Sequence, residues 1–223
     1  MIKTNGYSER EKETARNEIR NLKISQHENL VKYVDDFYEN DCFLIVMEFY
    51  SGGDLADAIK NQNGKPFSED ILLTWFGQLT SALKYLQENK LIHRDLKPAN
   101  VFLNIFQILK IGDFGLSKSL QTTYVAQTMC GTILYMALEV LNGEAYNHKA
   151  DMWSLGCIIY KLVTLRPPFN GSSMMALMLA ISKGQYQPIP AKPHLAVASF
   201  AVKLLQVDPA RRPSADCRAN GRV

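Results

Sequence analysis

The sequence predicts an α+β fold in two unequal lobes, and three observations carry that prediction. Strand-like apolar runs gather within the first fifty residues, a Ser51-Gly52-Gly53-Asp54 break follows them, and helical periodicity governs most of the rest. The opening helix spans about residues 8–23, with Ser8 and Glu11 in capping-box spacing and Ala15, Ile19 and Leu22 as its buried stripe. Glu18 falls on that stripe, where a carboxylate either reaches water at the edge or meets a cation, because burying it alone is costly. Residues 30–38 and 42–49, separated by Glu39-Asn40-Asp41, read as an antiparallel pair of strands. The glycine-rich break is then a loose connector between the lobes.

Beyond the connector, Ser68 caps a helix carrying Ile71, Leu72, Trp75, Phe76, Leu79, Leu83 and Leu86 on one broad face. Residues 101–103 and 108–111 read as short strands. Between them, Asn104-Ile105-Phe106-Gln107 lacks the Asp/Gly chemistry of a hairpin turn and exposes apolar residues. Asp151 caps another helix through Leu155, Ile158, Ile159 and Leu162, stopped by Pro167-Pro168. A third carries Met174, Leu177, Met178 and Ile181 and ends at Gly184; its Met174, Met175 and Met178 cluster reads as packing rather than a partner groove.

Composition bounds the function. With 223 residues, 47% of them hydrophobic and 21% charged, the chain has the apolar mass to offset ordering entropy, which excludes intrinsic disorder as the main state. A net charge of +3 spread along the chain gives no reason to expect a nucleic-acid partner. The cysteines Cys42, Cys130, Cys157 and Cys217 are few, far apart and free of Cys-x-x-Cys spacing. They argue against metal or disulfide use and for a reducing compartment: the cytoplasm, with the nucleus or cytoskeleton as alternatives. No signal peptide stands at the start, and the most apolar stretch, 152–169, is broken by Lys161, Arg166 and the proline pair. That stretch reads as a buried helix of a soluble protein, with no membrane partner.

The informative stretch is Ile92-His93-Arg94-Asp95-Leu96-Lys97-Pro98-Ala99-Asn100, followed by Gly112-Asp113-Phe114-Gly115. These residues resemble the catalytic loop H-R-D-L-x-x-x-N and the D-F-G motif of eukaryotic protein kinases, in the right order and with strand-like segments between them. The resemblance extends along nearly the whole chain. Gly131-Thr132 to Ala137-Leu138-Glu139 resembles the end of an activation segment, and Asp151-Met152-Trp153-Ser154-Leu155-Gly156 the start of the central helix of the large lobe. Asp208-Pro209 to Arg212-Pro213 resembles the late loop whose arginine pairs with the glutamate of A-P-E, which makes Glu139 and Arg212 an expected buried pair. Asn-Val-Phe-Leu after the catalytic loop and Gly-Gly-Asp-Leu near residue 53 are most similar to NIMA-related kinases.

The resemblance implies a protein-kinase-like fold and transfer of the γ-phosphate of ATP, with Mg2+, to serine and threonine hydroxyls of proteins. Such chemistry needs positioning and charge neutralisation more than covalent help. Asp95 is then the residue that accepts the hydroxyl proton, and Lys97 the ammonium beside the transferring phosphate and the mark of a serine/threonine enzyme. Asn100 and Asp113 become the hard oxygen ligands for magnesium. Met47 becomes the gatekeeper, Glu48-Phe49-Tyr50 the hinge that meets adenine, Asp54 a ribose contact and Phe102 the pocket floor. Lys3 is the candidate to hold the α- and β-phosphates and pair with Glu18; the alternative is a solvated lysine on a fraying edge strand. Thr128 stands where an activating phosphothreonine is usual, with Arg94 as its partner and Thr122, Thr123 and Thr132 as competitors; Thr132 also suits a bond beside Asp95 and Lys97. His27, ahead of Asn29-Leu30-Val31, reads as structural.

Departures from the family pattern accompany the matches. No Gly-x-Gly-x-x-Gly occurs, Ala137-Leu138-Glu139 replaces A-P-E, and Ile133 stands where proline often follows Gly-Thr. The expected organisation is a partial small lobe over 1–50, a large lobe over 51–213 and an irregular tail over 214–223, as though the kinase domain were cut at both ends. The alternative to an enzyme is a catalytically silent kinase-like interaction module, for want of the glycine loop. A small-molecule phosphotransferase is disfavoured by Arg94, Lys97 and the Ala-Leu-Glu segment.

Overall fold

The computed structural model describes residues 2–3, 8–112, 132–189 and 195–215. Asp113, Phe114, Gly115, Thr122, Thr123, Thr128, Gly131, Cys130 and Cys217 lie outside the described residues, as do the side chains of Lys3, Ala15 and Glu18.

The first fifty residues form a three-stranded antiparallel sheet and one helix. Strand β1 (Ile2–Lys3) lies beside β3 (Cys42–Met47), which also pairs with β2 (Tyr33–Glu39), giving the order β1-β3-β2. Asn40 and Asp41 join β2 to β3 with φ of 49° and 56°. Two positive φ values in succession give the turn whose twist matches that of the strands, and Asn and Asp tolerate them best among residues with a Cβ. Helix α1 (Glu9–Ile24) lays Ile19 and Leu22 on Phe43, with Tyr33, Ile45 and Met47 around them. On β3, alternate residues Phe43, Ile45 and Met47 face this cluster, the period of two that a one-sided sheet requires.

The first strand of the hairpin starts later than the apolar run predicts, at Tyr33 rather than Leu30. Residues 29–31 are claimed by the other sheet. Val31 N–H donates to the Ile111 carbonyl and Ile111 N–H to that of Asn29, each at 2.8 Å, while the Asn29 amide donates to the Leu109 carbonyl at 3.1 Å. Leu30 and Val31 are buried there, so the first lobe is stitched directly onto the second.

The connector is not loose either. Gly52 N–H donates to the Leu103 carbonyl and Leu103 N–H to that of Gly53, both at 2.9 Å. A Cβ on Gly52 would stand 2.6 Å from the Leu103 carbonyl oxygen, so glycine here permits close backbone approach rather than slack.

Helix α2 (Leu55–Asn61) and the long α3 (Glu69–Glu88) follow. Ser68 caps α3 as expected, accepting from Ile71 N–H, and Leu72, Trp75, Leu79, Leu83 and Leu86 are buried, whereas Ile71 is exposed and Phe76 stacks on Phe200. Strands β4 (Val101–Leu103) and β5 (Leu109–Ile111) pair antiparallel. Their turn has the chemistry the sequence reading denied it: Asn104 Oδ1 accepts from both Phe106 and Ile108 N–H at 2.9 Å, and Gln107 adopts φ 60°. Ile105 and Phe106 are nonetheless exposed.

Helix α4 (Leu138–Leu141) leads to α5 (Lys149–Thr164), which is buried along nearly its whole length, matching the expected internal helix. Asp151 does not cap it. The helix begins two residues earlier, and its carboxylate points to the 93–94 loop instead. At the far end the chain turns at Leu165 in left-handed backbone, φ 59°, ahead of the prolines. Helix α6 (Met174–Ser182), capped by Ser173, ends before Gly184 at φ 60°. Its methionines are not uniformly packed, since Met175 is 78% exposed. Helix α7 (Leu195–Leu204) crosses α5 at Gly156, where a Cβ would lie 2.8 Å from that of Leu204. The second-lobe core joins Trp75, Leu79, Trp153, Ile158 and Phe169 under β4 and β5.

Candidate active site

The site is built on a loop, residues 93–100, held from below by α5 and from the side by β5. Asp151, fully buried, accepts from His93 N–H at 2.8 Å and from Arg94 N–H at 3.1 Å. Burial pushes its carboxyl above the usual aspartate range, against the opposing pull of His93 and the two amides. This clamp holds Arg94 at φ 70°, a backbone conformation costly for a residue with a long side chain.

His93 carries the second tie. Its Nε2 lies 2.8 Å from the Gly112 carbonyl, which can only accept, so Nε2 bears the proton. Nδ1 is then an acceptor and takes the Asp95 N–H at 3.3 Å. Gly112 N–H in turn donates to the Asn100 carbonyl at 2.9 Å. The residue before Asp113 is therefore fixed on both sides to the loop that carries Asp95 and Asn100.

Four of the expected residues converge. Lys97 Nζ donates to Asp95 Oδ2 at 2.9 Å and to Thr132 Oγ1 at 3.3 Å. Asn100, buried at the end of a 3-10 turn over Pro98–Asn100, donates through Nδ2 to the Asp95 carbonyl at 2.8 Å and to Asp95 Oδ2 at 3.2 Å. A small cleft of about 20 Å³ lies alongside, lined by Asp95, Thr132, Tyr135 and Met136 and reaching down to the buried Asp151 and Ser154. Chemically, this set presents a carboxylate oriented by an ammonium and an amide at the edge of a cleft. It can accept a proton and stabilise negative charge in one place.

A second group gathers behind β4. Tyr50 stacks on Phe102 with ring centroids 6.4 Å apart, and Asp54 pairs with Phe102 through the backbone. Asp54 Oδ1 accepts from Asp57 N–H at 2.8 Å and caps α2. Glu48 donates its N–H to the Lys32 carbonyl at 3.0 Å and accepts from the Tyr50 hydroxyl at 3.3 Å, while Met47 belongs to the first-lobe cluster. Arg94 follows His93 with its side chain exposed.

Glu139 and Arg212 form the expected buried pair, at 2.6 and 2.9 Å. The other three guanidinium N–H groups donate to the carbonyls of Gln206, Lys149 and Val207, so all five donors are satisfied. His27 is structural as expected: Nδ1 accepts from Asn29 N–H at 3.0 Å and Nε2 meets Ser81 Oγ at 3.1 Å.

The residue missed by sequence reasoning is Asp151 as the loop's clamp. Its sequence signal is partial: one carboxylate ahead of the largely apolar stretch 152–160 needs donors from elsewhere, but nothing in the stretch says which loop supplies them.

A family model described as "Protein kinase domain" matches residues 1–220. The chain belongs to the protein kinase family. Over 212 residues it is 41% identical to the Dictyostelium discoideum protein named "Probable serine/threonine-protein kinase nek3", covering 92% of this chain and 19% of that protein. It is 40% identical over 209 residues to serine/threonine-protein kinase Nek5 of Mus musculus (92% of this chain, 33% of the relative) and 37% identical over 208 residues to Nek1 of the same organism (93% and 17%). The NIMA-related likeness of the sequence is borne out by these Nek relatives, of which this kinase domain spans between about a sixth and a third. Protein kinases as a family use ATP with a divalent metal.

Proposed function

We propose that this kinase domain transfers the γ-phosphate of Mg-ATP to serine and threonine hydroxyls of a protein substrate. The observation that carries the reading is Lys97 bridging Asp95 and Thr132 while Asn100 braces the same Asp95 carboxylate. Kinase membership and serine/threonine-kinase relatives support it over a silent module.

The donor set fits magnesium in kind. Asn100 turns its amide nitrogen to Asp95, which leaves its amide oxygen as a hard ligand, and Asp113 would supply the carboxylate beside it. Lys3, paired with Glu18, would hold the inner phosphates; Met47, the Glu48–Tyr50 backbone, Asp54 and Phe102 would hold the nucleoside. Bound Mg-ATP supplies the phosphoryl group and the charge that screens it. Asp95 accepts the proton of the substrate hydroxyl as its oxygen bonds to the γ-phosphorus and the bond to ADP breaks. Lys97 holds the Asp95 carboxylate in place and offers its ammonium to the transferred group. Arg94 would receive a phosphate on Thr128. A protein rather than nucleic-acid or lipid partner, and a cytoplasmic address with nucleus or cytoskeleton as alternatives, complete the proposal. Among the described residues no helix is long and apolar enough to cross a membrane.

The test incubates the chain with Mg-ATP and a protein rich in serine, threonine and tyrosine. Phosphoserine and phosphothreonine are expected, and Asp113→Ala is expected to abolish both. Phosphotyrosine alone, no product, or product that persists in Asp113→Ala would contradict the reading.

A further inference from the structure

At the foot of the second lobe, where α5 begins and the chain leaves α7, an open cavity of about 490 Å³ shares no lining residue with the cleft beside Asp95. Its volume falls within the roughly 300–1,000 Å³ usual for ligand pockets. Lys149, Lys203, Gln206, Arg211 and Ser214 line it, and Ala210 and Pro213 add apolar surface. Three cations thus border one space, and among the described residues its lining includes no carboxylate. None of the three takes part in the site built on residues 93–100.

Each cation is positioned by a contact that leaves its charge in place. Lys149 Nζ donates to the Arg212 carbonyl, a neutral acceptor that uses one of the three ammonium donors. Lys203 Nζ sits 5.7 Å from the centroid of the Phe200 ring. Arg211 Nε lies 3.6 Å from Asp208 Oδ2, with both side chains more than half exposed, a pair worth at most about 1 kcal/mol. Arg212 also borders the cavity, but its guanidinium is spent on Glu139 and three carbonyls, so it forms a rigid floor. Residues 216–223, which follow, contribute Arg218 and Arg222 against the single acid Asp216, so the sequence does not reverse the sign. Several cations around one pocket suit a phosphate monoester, which carries about −1.5 to −2 near neutral pH, better than a singly charged carboxylate. The apolar surface suits a peptide chain carrying that phosphate rather than a bare ion.

We infer that the Lys149–Lys203–Arg211 cavity is a docking site for a phosphoserine or phosphothreonine of a partner protein, separate from the site of phosphoryl transfer. The inference goes beyond the kinase reading and is tested apart from it, by equilibrium binding. Fluorescent peptide pools with randomised neutral flanks and a central phosphoserine, phosphothreonine, glutamate or serine are titrated with the full chain and followed by anisotropy. The phosphorylated pools are expected to bind about tenfold more tightly than the serine pool, the scale of one or two charge-assisted hydrogen bonds, with glutamate between them. Added salt should narrow the difference. Lys203→Glu with Arg211→Glu is expected to remove the preference, and the milder pair Lys203→Gln with Arg211→Gln to reduce it without moving the thermal midpoint. Equal affinities, no binding of any pool, glutamate as tight as phosphoserine, or an unchanged order in both double variants would overturn the inference. So would displacement of the phosphopeptides by an oligouridine, or by vesicles containing phosphatidylserine, that binds more tightly than they do, since the site would then serve nucleic acid or membrane. Phosphoryl transfer to a generic protein is measured in parallel and is expected to be unchanged in the double variants. An intact binding order without turnover counts against the kinase reading alone, and turnover without the binding order against this inference alone.

Discussion

Arg94 occupies left-handed backbone at φ 70°, and two N–H groups, its own and that of His93, converge on Asp151 to keep it there. Outside glycine such a conformation costs about 1–2 kcal/mol, so the clamp holds a strained loop in the form that aims Asp95 at the cleft. Asp151→Ala removes both acceptors and leaves two amides without their protein partner. We expect a stability loss of about 2–4 kcal/mol and a kcat at least tenfold lower; full activity at unchanged stability would place the loop's restraint elsewhere. His27 offers a pH test. Burial holds its pKa below the ordinary 6.5, so the fold favours the neutral ring. Stability from this residue is present above about pH 6.5 and lost as pH falls through the lower folded value. Urea midpoints measured at pH 7.5 and 5.5 should therefore fall more for the native chain than for His27→Gln. Equal falls would show that the ring does not carry the dependence.

At the scale of elements, the predicted helices and strands form close to where periodicity put them, with β2 starting late at Tyr33 and α5 early at Lys149, because a buried stripe is a local property of sequence. What periodicity lacked was the partner. Residues 29–31 continue an apolar run yet leave the hairpin for β5, since the run says that a side chain is buried and not which sheet takes its amides. The 104–107 turn was misread for a different reason: Asn104 supplies through its side chain the backbone bonds that glycine would have allowed by conformation. Asn104→Ala removes an acceptor shared by two N–H groups and should cost about 1–2 kcal/mol in chemical denaturation. A change below the error of the measurement would mean that the strands hold the turn unaided. The candidate site was legible through one compact stretch, His93 to Asn100, whose members reach each other by local geometry. Asp151 was not, because a clamp 56 residues beyond Asp95 leaves no spacing to read.

Across the whole molecule, one bidentate pair ties the segment after the cleft to the foot of the second lobe. Arg212 lies fully buried against Trp153, its Cζ 4.9 Å from the ring centroid, with every donor engaged. Removing Glu139 alone strands that cation in the core. Glu139→Ala should lower stability by about 3–5 kcal/mol, whereas the double replacement Glu139→Leu with Arg212→Met should recover a substantial part of the loss. A single variant as stable as the native chain would rule out the burial described. The ties from residues 29–31 to β5, from β5 through Gly112 to His93, and from His93 to Asp95 form one continuous support under the proposed proton acceptor. The most direct test of that support's purpose is kcat at saturating Mg-ATP and peptide for the native chain and for Asp95→Asn. The isosteric amide keeps an oxygen to face Lys97 but accepts a proton poorly, so kcat should fall by about 10²–10⁴ with little change in KM for ATP. A kcat within twofold of native would contradict the account at its centre.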